Sequence, residues 1–361
     1  MNEDKRAEHP FHMYEAIRAQ PEAFTRVVGQ NEPAVDEFAD LISGCERLFI
    51  IGIGTSFHAA RVGEHLMRVY GGGPDLRVMH SFDFALYGPP LGRGDCVVAV
   101  SHRGSKRYTA TALARAREAG CRTALIMGEG GTGTGSADAA FVTVAQEKSS
   151  AHTVSYAGSV AVLALLARSI GRHRTGGDTM PEGLLREEIP AALQSALGTE
   201  GEAASLACGH VGRRRIWVAG GGPSAVTAEE TALKIKETSY LQAEGMSAET
   251  LMHGPFQCVE DTDLFVLTAP SGAARERTLE VAELAGEIGA PCVIVSDVET
   301  GLPRNAASVL VPPVPEPFTP LTCLVALQLF TYHLALVRGT NPDSFRAEDP
   351  RFVRADVSGR L

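Results

Sequence analysis

Lysine is scarce in this 361-residue chain. Of 33 basic residues only five are lysines (Lys5, Lys106, Lys148, Lys234 and Lys236), and none follows Lys236. Basic charge as a whole is in deficit. The formal net charge is -10, which argues against nucleic acid as the main partner, since phosphate-backbone binders are usually basic. A small local anion site stays open. The seven cysteines form no CxxC pair, so they read as buried, reduced thiols. No spacing of His, Asp, Glu and Cys suggests a metal site, and none is assigned. The N-terminus, Met1-Asn-Glu-Asp-Lys-Arg6, lacks an apolar signal core. The longest apolar run, residues 321–337, is interrupted by Gln328, Tyr332 and His333. It falls short of the roughly 20 residues that span a bilayer. A soluble, cytoplasmic protein without a membrane partner is expected. There is no G-x-S-x-G nucleophile elbow. Gly52-Ile-Gly54-Thr-Ser56 has Phe57 where a dinucleotide fingerprint needs its third glycine, and no acid closes the next strand. Gly220-x-Gly222 followed by Ala225 fits better but lacks an acidic ribose reader.

What is present is an alternation of apolar runs and amphipathic stretches, as in an α/β fold with a mostly parallel sheet. Helices are predicted over 9–44, with Pro21 starting one and Pro33 another. Strands are predicted at 47–52, 76–80, 95–101, 122–127 and 139–144, with helices over 55–70, 107–119 and from about 154 to 170. The polar stretch 171–181 reads as the linker. Helices over 182–197 and 200–210 lead into a strand from Arg215. A glycine turn and a helix from Ala225 to about Leu241 follow, and 244–255 reads as a loop. Trp217 and Phe256 read as core.

An internal repeat organises all of this. Arg47-Leu-Phe-Ile-Ile-Gly-Ile-Gly-Thr-Ser56 matches Arg215-Ile-Trp-Val-Ala-Gly-Gly-Gly-Pro-Ser224 at an offset of 168. Asp95 to Gly104 meets Asp263 to Gly272 at the same offset, and Gly120 to Met127 meets the stretch from Gly289 one residue further on. The period is too long for a solenoid. We read two copies of one α/β domain: a helical segment 1–44, a first domain 45–175, a second 182–340 and a tail 341–361.

The copies differ in chemistry. The first keeps Gly54, Thr55 and Ser56 after one strand and Ser101-His102-Arg103-Gly104-Ser105-Lys106 after another. Ligands in open α/β sheets sit beyond the carboxyl ends of strands, and hydroxyls at a helix N-terminus form an anion site. The first copy is therefore the expected phosphate holder. The second offers Lys234 and Glu237 on one helix face with Thr231 and Tyr240, and His253 beyond it. A carboxylate, an ammonium and an imidazole are the inventory of proton transfer.

These residues resemble those of sugar isomerase (SIS) domain proteins, in particular the tandem-SIS isomerase half of the glucosamine-6-phosphate synthases. The resemblance covers about 9–340. It rests on Gly54-Thr55-Ser56, Ser101-x-x-Gly104, the stretch from Glu147 to Thr153, Ala232-Leu-Lys-Ile-Lys-Glu-Thr-Ser-Tyr240, His253-Gly-Pro255 and Leu327-Gln-Leu-Phe-Thr-Tyr-His333. It implies two three-layer sandwiches. It also implies a sugar phosphate held by Ser56 and Ser101, with Ser150 and His152 in the same site. Glu237 would move a proton between C1 and C2, with Lys234 beside the reacting carbons to steady the developing oxyanion. His253 would open the sugar ring from the neighbouring subunit of a homodimer with a shared active site. No cofactor is required. Four departures stand out. No glutaminase domain is expected ahead of the first strand, so ammonia or a separate ammonia donor would supply nitrogen. The family's C-terminal lysine has no counterpart, and Arg351 or Arg354 cannot form a Schiff base. Arg103 and Lys106 add positive charge where the family is mostly neutral. His152 replaces a serine. The implied reaction is isomerisation, deamination or ammonia-dependent amination of a sugar phosphate. The alternatives are a sugar-phosphate sensor without turnover and a phosphoglucose/phosphomannose isomerase.

Overall fold

The computed structural model describes residues 5–73, 75–304 and 306–356, apart from the side chain of Thr134. The chain divides into two compact units. One holds residues 20–147 and 154–190, and the other holds Met1–Ala19, Lys148–Thr153 and Ala191–Ala355. The stretch 171–190 thus packs with the first of these units. The reason is local. Thr179 donates to the Tyr70 carbonyl at 2.7 Å, Leu184 and Leu185 are buried, and Arg186 pairs with Glu32.

The chain opens with helix α1 (His12–Arg18) and helix α2 (Gln20–Ile42). Pro33 lies inside α2 rather than starting a new helix. A proline inside a helix removes one backbone bond. Here Glu32 paired with Arg168 and Asp36 paired with Arg172 hold the helix against α6 (Val154–Thr175) across that gap.

The first unit carries β1 (Arg47–Gly52), α3 (Thr55–Tyr70), β2 (Asp75–His80), α4 (Ser81–Tyr87), β3 (Asp95–Val100), α5 (Arg107–Glu118), β4 (Arg122–Glu129), β5 (Ala139–Ala145) and α6 (Val154–Thr175). Its sheet is parallel with order β2-β1-β3-β4-β5. β1 and β3 are buried nearly throughout, as strands covered on both faces must be. Phe49, Ile51, Val97 and Ala99 face Phe84 of α4 and Ala112, Leu113 and Ala116 of α5. α2, α3 and α6 form the other layer.

The second unit continues with α7 (Ile189–Ala196), α8 (Glu200–His210), β6 (Arg215–Gly220), α9 (Pro223–Ser239), β7 (Gln242–Ser247), α10 (Ala248–Met252), β8 (Leu264–Thr268), α11 (Arg275–Ile288), β9 (Cys292–Ser296), β10 (Ala307–Leu310), α12 (Thr319–Val337) and α13 (Pro350–Ala355). Its sheet order, β10-β9-β8-β6-β7, is the first sheet's order in equivalent strands. Leu48 lies opposite Cys96 and Ile216 opposite Leu264, the same register 168 residues on. Val97 pairs with Thr123 and Phe265 with Cys292, so the extra residue of offset noted in the sequence falls between these strands. Each copy is a three-layer α/β sandwich. One contact recurs in both. Arg47 at the head of β1 grips Asp95 through Nε and Nη2, both at 2.6 Å. Arg215 Nε likewise donates to Asp263 at 2.9 Å.

Most of the stretch 244–255, read as a loop from sequence, belongs to the edge strand β7 (Gln242–Ser247) and the short helix α10 (Ala248–Met252). Helix α9 stops at Ser239, and Tyr240 follows in the left-handed region (φ 58°). Two helices, Val154–Thr175 and Glu316–Val337, are long and apolar enough to cross a membrane, and the second is longer than the sequence reading allowed. Their apolar windows are 94% and 83% buried inside the fold, where they serve as core helices. Cys208 and Cys258 are exposed, unlike the buried Cys96, Cys121, Cys292 and Cys323.

Candidate functional site

The residues expected to hold an anion lie at the first sheet's switch point. β1 passes to β2 on one side and β3 passes to β4 on the other, which leaves a crevice beyond the β1 and β3 ends. Gly54 takes a left-handed turn (φ 57°), and its carbonyl accepts from Phe57 and His58 as α3 begins. Thr55 and Ser56 are the first residues of that helix, where backbone N–H groups lack intrahelical partners. Ser101 follows β3. Its Oγ is buried and has no hydrogen-bond partner. A buried hydroxyl left unsatisfied costs about 1–3 kcal/mol. Arg103 and Ser105 are exposed on the same loop. Lys106, half-buried at the N-cap of α5, has a pKa lowered by desolvation and then by the Arg103 charge.

His102 does something different from its neighbours. Its ring is buried, and Nε2 accepts from the Glu147 backbone N–H at 3.1 Å. That bond places the ring proton on Nδ1. Its carbonyl accepts from Gly128 N and Gln146 Nε2. His102 therefore pins the exit of β5. Glu147 Oε1 in turn accepts from Ser155 N and caps α6.

The residues expected to move a proton stand on α9. Lys234 is 1% exposed, and Nζ lies 2.6 Å from Glu237 Oε2 and 3.4 Å from Glu230 Oε1. Glu230 is fully buried, while Glu237 keeps 19% exposure. A buried charge survives only when paired. The outcome is an ammonium that holds two carboxylates and leaves one of them open to the outside. Glu230 was not singled out from sequence. Buried Lys234 lies against Glu237, so in the free protein it holds that carboxylate rather than presenting Nζ to solvent.

His253 caps α10 and is 74% exposed, with Nε2 2.8 Å from Glu249 Oε1. Arg277 first and then His253 hold the Glu249 carboxyl below its ordinary pKa. Ser150 and His152 belong to the same unit as α9. Ser150 N donates to the Asp343 carbonyl at 3.0 Å. His152 is half-buried. Lys234, Glu237 and Glu230 are brought together, and His253 stands apart from them at the protein surface. Among the described residues no cluster of three His, Cys, Asp or Glu could hold a metal ion. Two cavities of about 460 and 480 Å³ are lined by none of the candidate residues.

The chain is 32% identical over 333 residues to the glutamine–fructose-6-phosphate aminotransferase (isomerizing) of Pyrococcus horikoshii, covering 92% of this chain and 56% of that protein. It therefore spans just over half the length of that relative. Among solved structures it resembles the C-terminal domain of glucosamine-fructose-6-phosphate aminotransferase from Francisella tularensis, with TM-score 0.86 and 21% identity over 94% of this chain and 99% of that one. It also resembles the tagatose-6-phosphate ketose/aldose isomerase of Escherichia coli, with TM-score 0.78 and 20% identity over 94% and 97%. At those identities the structures speak for the fold alone. The SIS domain model matches residues 41–169 and again 211–338, so the chain belongs to the SIS domain family and carries two copies of that domain.

Proposed function

We propose that this chain isomerises a phosphorylated sugar or amino sugar between its aldose and ketose forms. The observation that carries this reading is the α9 cluster: a part-exposed carboxylate, Glu237, gripped by a buried lysine. That is how a base is kept ionised and aimed while still able to take a proton. The phosphate rests on Thr55, Ser56, Ser101 and Ser105 with the N-terminus of α3, and Arg103 and Lys106 add charge for a strongly anionic ligand. His253 assists ring opening as a general acid–base. Its high exposure suits a group that works in the site of a second copy. Glu237 then takes the proton from C2 of the open-chain aldose, giving an enediol, and returns it to C1 as the C2 carbonyl forms. One carboxylate placed between adjacent carbons suffices for this shift. Where C2 carries an amino group the same step gives an imine at C2. Water releases it as ammonia and a ketose phosphate, and amination by free ammonia is the reverse. The printed name of the curated relative, an aminotransferase marked isomerizing, supports a reaction of this class.

The test is proton exchange. Fructose 6-phosphate, glucosamine 6-phosphate and related sugar phosphates are incubated with the protein in heavy water, with and without ammonium, and deuterium at C1 and C2 is read by NMR. Incorporation with one sugar that disappears in Glu237→Gln is the expected result. Saturable binding dependent on Ser56 and Arg103, with no incorporation from any sugar, overturns the isomerase reading in favour of a sensor.

A further inference from the structure

The second copy has its own turn at the place where the first copy has its anion site, and that turn is filled from within. Its pocket is lined by Ser224 at the start of α9, by Thr268 at the end of β8, by Ala274, Arg275 and Thr278 at the start of α11, and by Glu316. Two helix N-termini converge there, each carrying partial positive charge. The half-buried Glu316 carboxylate stands against them. Its Oε1 accepts from the Ala273 backbone N–H at 3.1 Å. A Cβ on Gly272 would overlap that carboxylate, so the loop is shaped to receive it. Two further polar atoms at the pocket are buried with no hydrogen-bond partner. Thr268 is 1% exposed and its Oγ1 is unsatisfied. Arg275 gives Nη2 to the carbonyls of Val298 and Thr300 but leaves Nε unpaired. The space left is about 10 Å³, room for one water at most.

We propose that this is a second anion pocket, suited to a phosphate group, held shut by Glu316 as an internal anion. A carboxylate offers two acceptor oxygens on one plane, whereas a phosphate offers three in a tetrahedron. That leaves Thr268 Oγ1 and Arg275 Nε without acceptors while Glu316 is in place. None of these residues belongs to the machinery assigned to turnover, so the pocket stands or falls independently of that reading.

The experiment titrates inorganic phosphate into the full chain by calorimetry, comparing wild type with Glu316→Ala and with Glu316→Ala/Thr268→Val. Glu316→Ala is expected to gain one phosphate per chain that wild type does not bind, at least tenfold tighter than any added binding to wild type. Thr268→Val in that background weakens the gained site at least fivefold. Equal stoichiometry and affinity in wild type and Glu316→Ala overturn the proposal, as does a gained site that ignores Thr268→Val. Should Glu316→Ala fail to fold, Glu316→Gln keeps the shape without the charge. Its melting temperature must then rise more with phosphate than that of wild type, and an equal rise overturns the proposal. Repeating the titration with fructose 6-phosphate separates the two sources of the group. Tighter binding of the ester assigns the pocket to a phosphorylated metabolite, and tighter binding of the free ion assigns it to phosphate itself.

Discussion

The same helix in the two copies does opposite things with its buried face. Positions 230, 234 and 237 of α9 correspond, at the offset of 168, to Val62, Leu66 and Val69 of α3. Val62 and Leu66 are fully buried, and Val69 is 59% exposed. Their counterparts Glu230 and Lys234 are equally buried, and Glu237 is the partly open one. The fold is therefore content with two aliphatic side chains at this place, since the first copy uses them. A buried ion pair is at best neutral against such a pair and often costs 1–4 kcal/mol. The second copy thus carries charges that its architecture does not need. The first copy shows the complementary exception: an unsatisfied Ser101 hydroxyl where the second has Ala269. Each copy thus departs from easy packing at a place where the other does not.

The sharpest way to break the comparison is to remove the open carboxylate. Glu237→Gln is expected to lower proton exchange at C1 and C2 by roughly 10²–10⁴-fold, the usual contribution of a positioned general base. Binding of the sugar phosphate stays within a fewfold of wild type, as read by calorimetry. Retained exchange would mean that the α9 cluster is structural.

Next in size is an exchange of one copy's solution for the other's. Lys234→Ala leaves Glu230 buried without that cation and is expected to cost about 3–5 kcal/mol in urea unfolding. The double change Glu230→Val with Lys234→Leu, which writes the first copy's pair into α9, is expected to recover wild-type stability or exceed it by about 1–4 kcal/mol. Turnover stays lost in both. If the double variant is as unstable as the single one, the two helices are not equivalent in packing.

A smaller effect of opposite sign belongs to the first copy. Ser101→Ala removes a buried hydroxyl that nothing satisfies, so stability holds or rises by up to about 1 kcal/mol. Affinity for the sugar phosphate falls roughly tenfold, the worth of one hydrogen bond to a charged group. A loss of stability would show that the hydroxyl already has a partner in solution.

The contrast between copies also explains what could be read from sequence. Strands β1, β3, β4, β6, β8 and β9 are buried on both faces and stand out as apolar runs. The edge strand β7, Gln242–Ser247, is half-exposed and polar, and without alternation it looks like a loop. β10, also exposed along most of its length, carries no signal for the same reason. The placement of Ser56 at a helix start, of Ser101 at a strand end and of Lys234 and Glu237 on one helix face is legible in the sequence, because these are local patterns. Glu230 was not, since a glutamate on a helix is ordinarily solvated. The repeat held the missing signal: its counterpart Val62 is a core residue, so a carboxylate at that position had to be buried. His102 was grouped with the phosphate loop because its neighbours are polar. Its bond to the Glu147 backbone joins two strand ends that are distant in sequence.

The smallest expected effect tests whether the recurring arginine–aspartate clasp is a shared device. Burial would raise the Asp95 pKa, but the Arg47 guanidinium and the Gly92 N–H hold it below its ordinary value. A depressed folded-state pKa means the clasp's contribution is complete above the unfolded value of about 4. It drains as pH falls through the folded value, because the unfolded chain binds the proton first. Stability should therefore decline below about pH 4, and Asp95→Asn should flatten that acid limb while lowering stability at neutral pH. Asp263 accepts from Arg215, from Trp217 Nε1 at 3.0 Å and from Glu260 N at 3.1 Å. Each aspartate accepts from three donors, but at Asp263 one of them is the buried Trp217 Nε1–H, which an asparagine with one carbonyl acceptor would leave competing, so Asp263→Asn should cost more at neutral pH than Asp95→Asn. The check is the urea midpoint of both variants from pH 3 to 7. Equal losses at pH 7 would mean that the two clasps contribute alike, with Trp217 adding nothing to the second.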